Sequence, residues 1–150
     1  MGTLEVIRVV LDTNVLVSGL LFGGTPGKLV DLWKTGTIRL IISRVMLDEF
    51  LRVLTYPKLR LSEEEIHYLL YVEVLPHAEI VKVHPGPILI PTDPSDDMFL
   101  RCAVAAVAKY IISGDRHLLH LKSYKRIKIL SVSGGVKMHQ NRRDKNAWSF

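Results

Sequence analysis

The chain has 150 residues, a formal net charge of +5 and 48% hydrophobic residues, enough for one sizeable core in a single domain. A single cysteine, Cys102, excludes an intramolecular disulfide and a thiol-built zinc site, and favours a reducing cytoplasmic setting. No run approaches the roughly 20 apolar residues of a spanning helix, and Glu5 and Arg8 interrupt the first apolar run, so neither membrane insertion nor a signal peptide is expected.

Val6 to Leu11 is an almost continuous, β-branched apolar run, the pattern of a central strand covered on both faces, and it ends at Asp12. Phe22 to Gly27 reads as a turn-rich loop, followed by helical spacing at Leu29, Val30, Leu32 and Trp33. Ile38 to Ile42 is the next strand, and Ser43 caps a helix that runs to about Leu54 and stops before Pro57 and Lys58. Ser62 with Glu65 forms a capping-box pattern ahead of another helix, and Ile80 to Val83 reads as a short strand. Four prolines between His84 and Pro94 predict an extended connector. It leads to Ser95-Asp96-Asp97 and a helix carrying Phe99, Leu100, Ala103, Val104 and Val107. Tyr110 to Ser113 is then a strand, Gly114 and Asp115 follow it, and Ile127 to Val132 is the last strand. Strand-length runs alternating with helical patterns predict a layered α/β fold with a mostly parallel sheet.

Such sheets bind ligands beyond the carboxyl ends of their strands. Asp12 and Asp115 each follow a strand, so both project from that edge. Glu49 lies one helical turn from Val45 and from Val53, toward the sheet, whereas Asp48 points about 100° away. Asp97 stands in the first turn of the helix that enters at the same edge. Carboxylates gathered there repel one another unless cations sit between them, and hard Mg²⁺ or Mn²⁺ takes such oxygen donors.

Each acid also has a purely structural explanation. Asp97 complements a helix dipole, with Asp93, Ser95 and Asp96 competing to cap. Glu49 could be solvated, Asp115 could be a turn residue, and Asp12 could cap the next helix. Their convergence on one edge is what favours function.

Charge is uneven along the chain. Met1 to Leu121 carries 12 Lys and Arg against 14 Asp and Glu, net −2, whereas Lys122 to Phe150 carries 8 against 1, net +7. Lys122, Lys125, Arg126 and Lys128, with Tyr124 among them, could follow a nucleic-acid backbone while the ring stacks on a base; a solvated surface is the alternative. Gly23 to Lys28 imitates a phosphate loop but lacks its first Gly and its final Ser or Thr. His117 and His120 have no companion ligands nearby in sequence, and Cys102 sits among apolar helix residues as a buried, inert thiol.

Val10-Leu-Asp-Thr-Asn-Val15, Glu49-Phe-Leu-Arg-Val-Leu-Thr-Tyr-Pro-Lys-Leu59, Asp93-Pro-Ser-Asp-Asp97 and Ser113-Gly-Asp115, in this order, resemble the PIN-domain ribonucleases. The likeness is strongest to the branch described as toxin components of toxin–antitoxin systems. It implies a three-layer α/β/α sandwich, Mg²⁺- or Mn²⁺-dependent hydrolysis of RNA, frequent homodimers and an antitoxin protein as a possible partner. Carried onto this chain, the acidic set is Asp12, Glu49, Asp97 and Asp115, with Asn14 and Ser113 in support and Asp96 able to share the load. The domain is expected over residues 1–135. Residues 136–150, polar and without periodicity, are expected to be a basic flexible tail or a short appended element. The rivals are a phosphatase using Asp12 as nucleophile, against which Asn14 stands where a second acid is expected, and a non-catalytic nucleic-acid- or antitoxin-binding module with a structural ion.

Overall fold

The computed structural model describes residues 6–84, 86 and 96–147. The polypeptide forms β1 (Ile7–Leu11), α1 (Thr13–Phe22), α2 (Gly24–Lys34), β2 (Ile38–Ser43), α3 (Arg44–Leu54), α4 (Glu63–Tyr68) and β3 (Ala78–Val81). It continues as α5 (Asp97–Ala106), β4 (Tyr110–Ile112), α6 (Arg116–Leu121), β5 (Ser123–Tyr124), β6 (Ile127–Leu130) and α7 (Val132–Ala147). The strands make one sheet in the order β3-β2-β1-β4-β6-β5, parallel throughout except for β5. Val9 and Val10 of β1, Ile41 of β2 and Ile111 of β4 are fully buried, as strands covered by helices on both faces require. This is the expected three-layer α/β/α sandwich, with α5 packed on β1, β2 and β4 and α2 packed on α1 and α7.

The register sets up the site. Leu11 pairs with Ile112, and Ile112 with Leu130, so the chain leaves β1, β4 and β6 at one edge, and the residues that follow are neighbours.

Several boundaries differ from the sequence reading. The Gly-rich stretch is not a loop: α2 starts at Gly24, and Pro26 is accommodated in its first turn, where backbone N–H groups have no intrahelical acceptor. Helices α1 and α2 meet at a 94° bend. They approach so closely that a Cβ on Gly19 would lie 2.8 Å from the carbonyl oxygen of Pro26, a contact only glycine avoids. No single helix among the described residues is long and apolar enough to cross a membrane.

The Ser62–Glu65 capping box forms as expected, with both reciprocal bonds made, at 2.9 and 3.1 Å. The helix then widens into a π-helical turn over Leu69–Val74, where Trp33 Nε1 donates to the carbonyl of Glu73 at 2.9 Å. Strand β3 lies two residues earlier than Ile80 to Val83, and the proline-rich connector falls outside the described residues apart from His84 and Gly86.

The C-terminal segment is helical. Strand β6 ends at Leu130, and α7 runs from Val132 straight through the boundary expected at Gly135. Ser131 starts it: its Oγ accepts from Gly134 N at 3.1 Å and its carbonyl from Gly135 N at 2.8 Å. The helix is seated by Val136, which is buried, and Met138, packed against the core. A Cβ on Gly135 would meet Ile112 Cδ1 at 2.6 Å, so a missing side chain lets the helix lie close to β4. Among the described side chains Val132, Val136 and Met138 anchor it, too few to give a readable period, and packing supplies the rest.

Candidate active site

Asp12 caps α1: its Oδ1 accepts from Val15 N at 2.8 Å. Its Oδ2 accepts from the Ser113 hydroxyl and, at 3.1 Å, from Gly114 N, which ties the end of β1 to the end of β4. Ser113 Oγ in turn accepts from Asp115 N at 2.9 Å. Asp115 caps α6 through its Oδ1, which accepts from His117 N at 2.8 Å and Leu118 N at 3.3 Å. Asp12 is thus the cap its position suggested, Asp115 is a helix cap rather than a plain turn residue, and neither cap removes the residue from the site.

A cavity of about 160 Å³ opens at this edge, lined by Asp12, Thr13, Asn14, Glu49, Val53, Asp96, Met98, Phe99 and Asp115. A second cleft of about 350 Å³ adjoins it, sharing Asp12, Asn14 and Asp115 and adding Ser18, Pro26 and Val132. Acids from four separate stretches of chain thus meet around one space. A larger cavity, about 530 Å³, lies elsewhere, against α1, α2 and the π-helical turn, and its Lys34 and Glu73 are ion-paired at 2.6 Å.

Asp96 and Asp97 divide differently from the expectation. Both are buried, but Asp96 lines the cavity, while Asp97 does not and has the Arg101 guanidinium 3.8 Å away. Adjacent residues at a helix start point about 100° apart, so only one faces the cavity. Glu49 reaches the cavity and holds an ion pair with Arg52 at 3.0 Å. Asp93 and Ser95 lie outside the described residues.

The electrostatics follow from this crowding. Burial, the largest influence, pushes Asp12 above the usual carboxyl range, against the opposing bonds from Ser113, Val15 and Gly114, and the nearby charge of Asp115 adds to the rise. Burial also pushes Asp115 upward, but a hydrogen bond with the Asp96 side chain and the N–H groups of His117 and Leu118 together hold it below that range. Cys102 is buried as expected, and burial pushes its thiol up to about 12.

This donor set of carboxylate oxygens fits a hard divalent cation in its chemistry. As placed, no group of three His, Cys, Asp or Glu side chains among the described residues could hold an ion. Seating one would require rearrangement such as Asp115 turning from Asp96 or Glu49 from Arg52.

The expected nucleic-acid patch does not gather at this edge. Lys122, Lys125, Arg126 and Lys128 are all exposed. Lys122 pairs through its carbonyl with Ile129 N, toward the carboxyl end of β6. The turn at Lys125 and Arg126 precedes Ile127, so it stands about 10 Å away at the amino end. Lys125 Nζ lies 5.7 Å from the centre of its own neighbour's ring, Tyr124. Sequence reading also missed the Arg52 partner of Glu49 and the apolar wall of Val53, Met98 and Phe99; the i, i+3 spacing of Glu49 and Arg52 was the available signal for the first.

An open parallel sheet with acids crowded at its carboxyl edge defines an α/β protein whose chemistry sits where strand ends meet helix starts. A family model for the PIN domain matches residues 8–117, and the chain belongs to the PIN-domain family. PIN domains are in general divalent-metal-dependent nucleases, and the match takes in Asp12, Glu49, Asp96, Asp97 and Asp115. Strands β5 and β6 and helix α7 lie beyond it. A comparison with curated proteins gave no match.

Proposed function

We propose that this protein is an endoribonuclease that hydrolyses phosphodiester bonds of single-stranded RNA with Mg²⁺ or Mn²⁺ bound, and that it acts as the toxin of a toxin–antitoxin pair. The observation that carries the reading is the small cavity walled by Asp12, Glu49, Asp96 and Asp115 at the carboxyl edge of the sheet. The likeness of the four sequence blocks to toxin-type PIN domains supports the biological role, and with it a cytoplasmic homodimer and an antitoxin protein as partner.

Asp12, Asp96 and Asp115 would hold the cation, with Glu49 completing its surroundings and Asp97 acting from behind through the helix start. When bound, the ion supplies Lewis-acid polarisation of the phosphate and an acidified water. Ser113 and Gly114 N–H fix the orientation of the Asp12 carboxylate, and Asn14 offers an amide to the phosphate. Val53, Met98 and Phe99 give the cavity an apolar wall that limits water. Attack by water in line with the leaving oxygen gives a 5′-phosphate and a 3′-hydroxyl.

Purified protein is expected to cut single-stranded RNA with Mn²⁺ or Mg²⁺, and Asp12→Asn to lower the rate by about a thousandfold, the upper scale for losing one preorganised electrostatic group. Equal cutting by wild type and variant would overturn the assignment. The second reading, a binding module with a structural ion, draws on Asp12 being fully engaged as cap and as acceptor from Ser113. Mn²⁺ and RNA binding without turnover would favour it.

A further inference from the structure

An acid-lined cavity repels a polyanion, so a nucleic-acid strand needs cations beside it before any phosphate can approach the acids. Arg101, near Asp97, is largely withdrawn from solvent, with a side chain 20% exposed. The turn at Lys125 and Arg126 stands at the far end of β6. The wall formed by Glu49 and Val53 of α3 leads to a different set of groups.

Arg52 Nη2 donates to Glu49 Oε1 at 3.0 Å, and Arg52 Nη1 donates to the Tyr56 hydroxyl at 2.8 Å. The guanidinium also stands 5.8 Å from the centre of the Tyr56 ring. Its side chain is 60% exposed, so the N–H groups not used by Glu49 and Tyr56 face water. Lys58 and Arg60 follow, both exposed, in and after a short 3-10 turn at Pro57–Leu59. From Arg52 to Arg60 the chain carries three cations and one aromatic ring and no acid.

We infer that Arg52 and Tyr56 form the entry surface for a single-stranded polynucleotide, the guanidinium taking a backbone phosphate and the phenol ring an adjacent base, beside the cavity that Glu49 lines. The inference rests on the nuclease reading for its substrate class. Tyr56 holds the guanidinium fork from one side whether Glu49 stays with Arg52 or turns to a cation, which limits the side-chain freedom left to lose when it meets a phosphate. A planar cation joined to a ring is a stacking platform that accepts any base, which suits a strand recognised without regard to sequence. Lys58 and Arg60 extend the positive track away from the acids.

The test is fluorescence anisotropy with a fluorescein-labelled oligouridine of about ten nucleotides, within the span of common single-strand sites. The full chain carries Asp12→Asn so that the probe survives, and binding is measured with Mn²⁺ at several salt concentrations. Adding Arg52→Gln or Tyr56→Ala is expected to weaken binding about tenfold or more, the scale of one lost stacking or charged contact. Arg52→Gln also lowers the slope of log affinity against log salt by about 0.7, one single-strand phosphate contact, which a merely structural loss would leave unchanged. Tyr56→Phe retains stacking and binds within about twofold of its parent, and Arg52→Lys recovers the salt slope but only part of the affinity. The Glu49–Arg52 pair is exposed, so thermal melts of Arg52→Gln should match the parent closely.

Binding unchanged in both Arg52→Gln and Tyr56→Ala overturns the inference. So does a larger loss in Lys125→Glu/Arg126→Glu. Absence of RNA cleavage by the wild-type chain in the same buffer counts against the nuclease reading alone, because the anisotropy comparison does not depend on turnover.

Discussion

The two ends of the sheet handle charge in opposite ways. Toward the amino end, Arg8 donates through Nε to the carbonyl of Ala106 at 3.0 Å and pairs through Nη1 with Glu79 at 2.5 Å. That bond holds the Glu79 carboxyl below the usual range, so each charge there lowers the cost of the other. At the carboxyl end Asp12, Asp96, Asp115 and Glu49 share one cavity with the same sign of charge, and Asp12 is pushed up by its burial. Of these four, Glu49 has an ion pair with Arg52, as Glu79 has with Arg8. Such crowding is the ground on which a cation site is proposed at this edge.

The sharpest challenge to this contrast separates the two neighbouring acids of α5. Asp96→Asn, which alters the cavity wall, should cut RNA about a hundredfold more slowly than wild type. Asp97→Asn, which alters a group behind it, should lose about tenfold or less, in the range of an outer-shell support. Equal losses in single-turnover cleavage would erase the distinction between the two carboxylates.

Stability against pH tests the crowding itself. A carboxyl whose pKa is raised by folding contributes stability below its unfolded value of 3.8 and loses it as pH rises through the folded value. Asp115, lowered by its hydrogen bonds, contributes in the opposite sense: its stability is present at higher pH and is lost as pH falls through its folded value. Metal-free Asp12→Asn keeps the Asp115 contribution and drops that of Asp12. Its melting temperature should therefore gain on wild type as pH climbs from about 4 toward neutral. Adding Mn²⁺ at a hundredfold excess over its Kd should raise wild type by about 2.7 kcal/mol, or roughly 5–10 °C, and the variant far less. A difference in melting temperature that stays flat with pH would show that folding does not push Asp12 up, and equal shifts with Mn²⁺ would show that Asp12 does not hold the cation.

The smallest effect belongs to the other end. Arg8→Ala removes a pair whose side chains are 35% and 40% exposed, so solvent screening limits the loss to about 1 kcal/mol, including the bond to Ala106. RNA cleavage should be unchanged. A variant that folds normally yet cuts more slowly would mean that charge near the amino end reaches the site.

Much of the molecule was legible in the residues. The run from Val6 to Leu11, the Ser43 cap, the Ser62–Glu65 box and the acids after β1 and β4 are local patterns, and each appears where the pattern places it. The π-helical turn was not legible, because it is tied to a bond from Trp33, forty residues away. Helix α7 was hidden by its two glycines and polar sequence, which read as loop until β4 and α2 lie against them. The cationic stretch around Lys125 was visible, but its distance from the acids was not, since that depends on the direction in which β6 runs.

The sequence by itself determined which segments are strands and helices, and that Asp12, Glu49 and Asp115 leave them toward one edge, because period-2 and period-3.6 geometry is a local property. Only the tertiary structure decided that Asp96 rather than Asp97 walls the cavity and that Val53, Met98 and Phe99 wall it with the acids. Those choices depend on how α5 and α3 are rotated about their own axes, and that rotation is set by buried neighbours such as Phe99, Leu100 and Phe50 that come from distant parts of the chain.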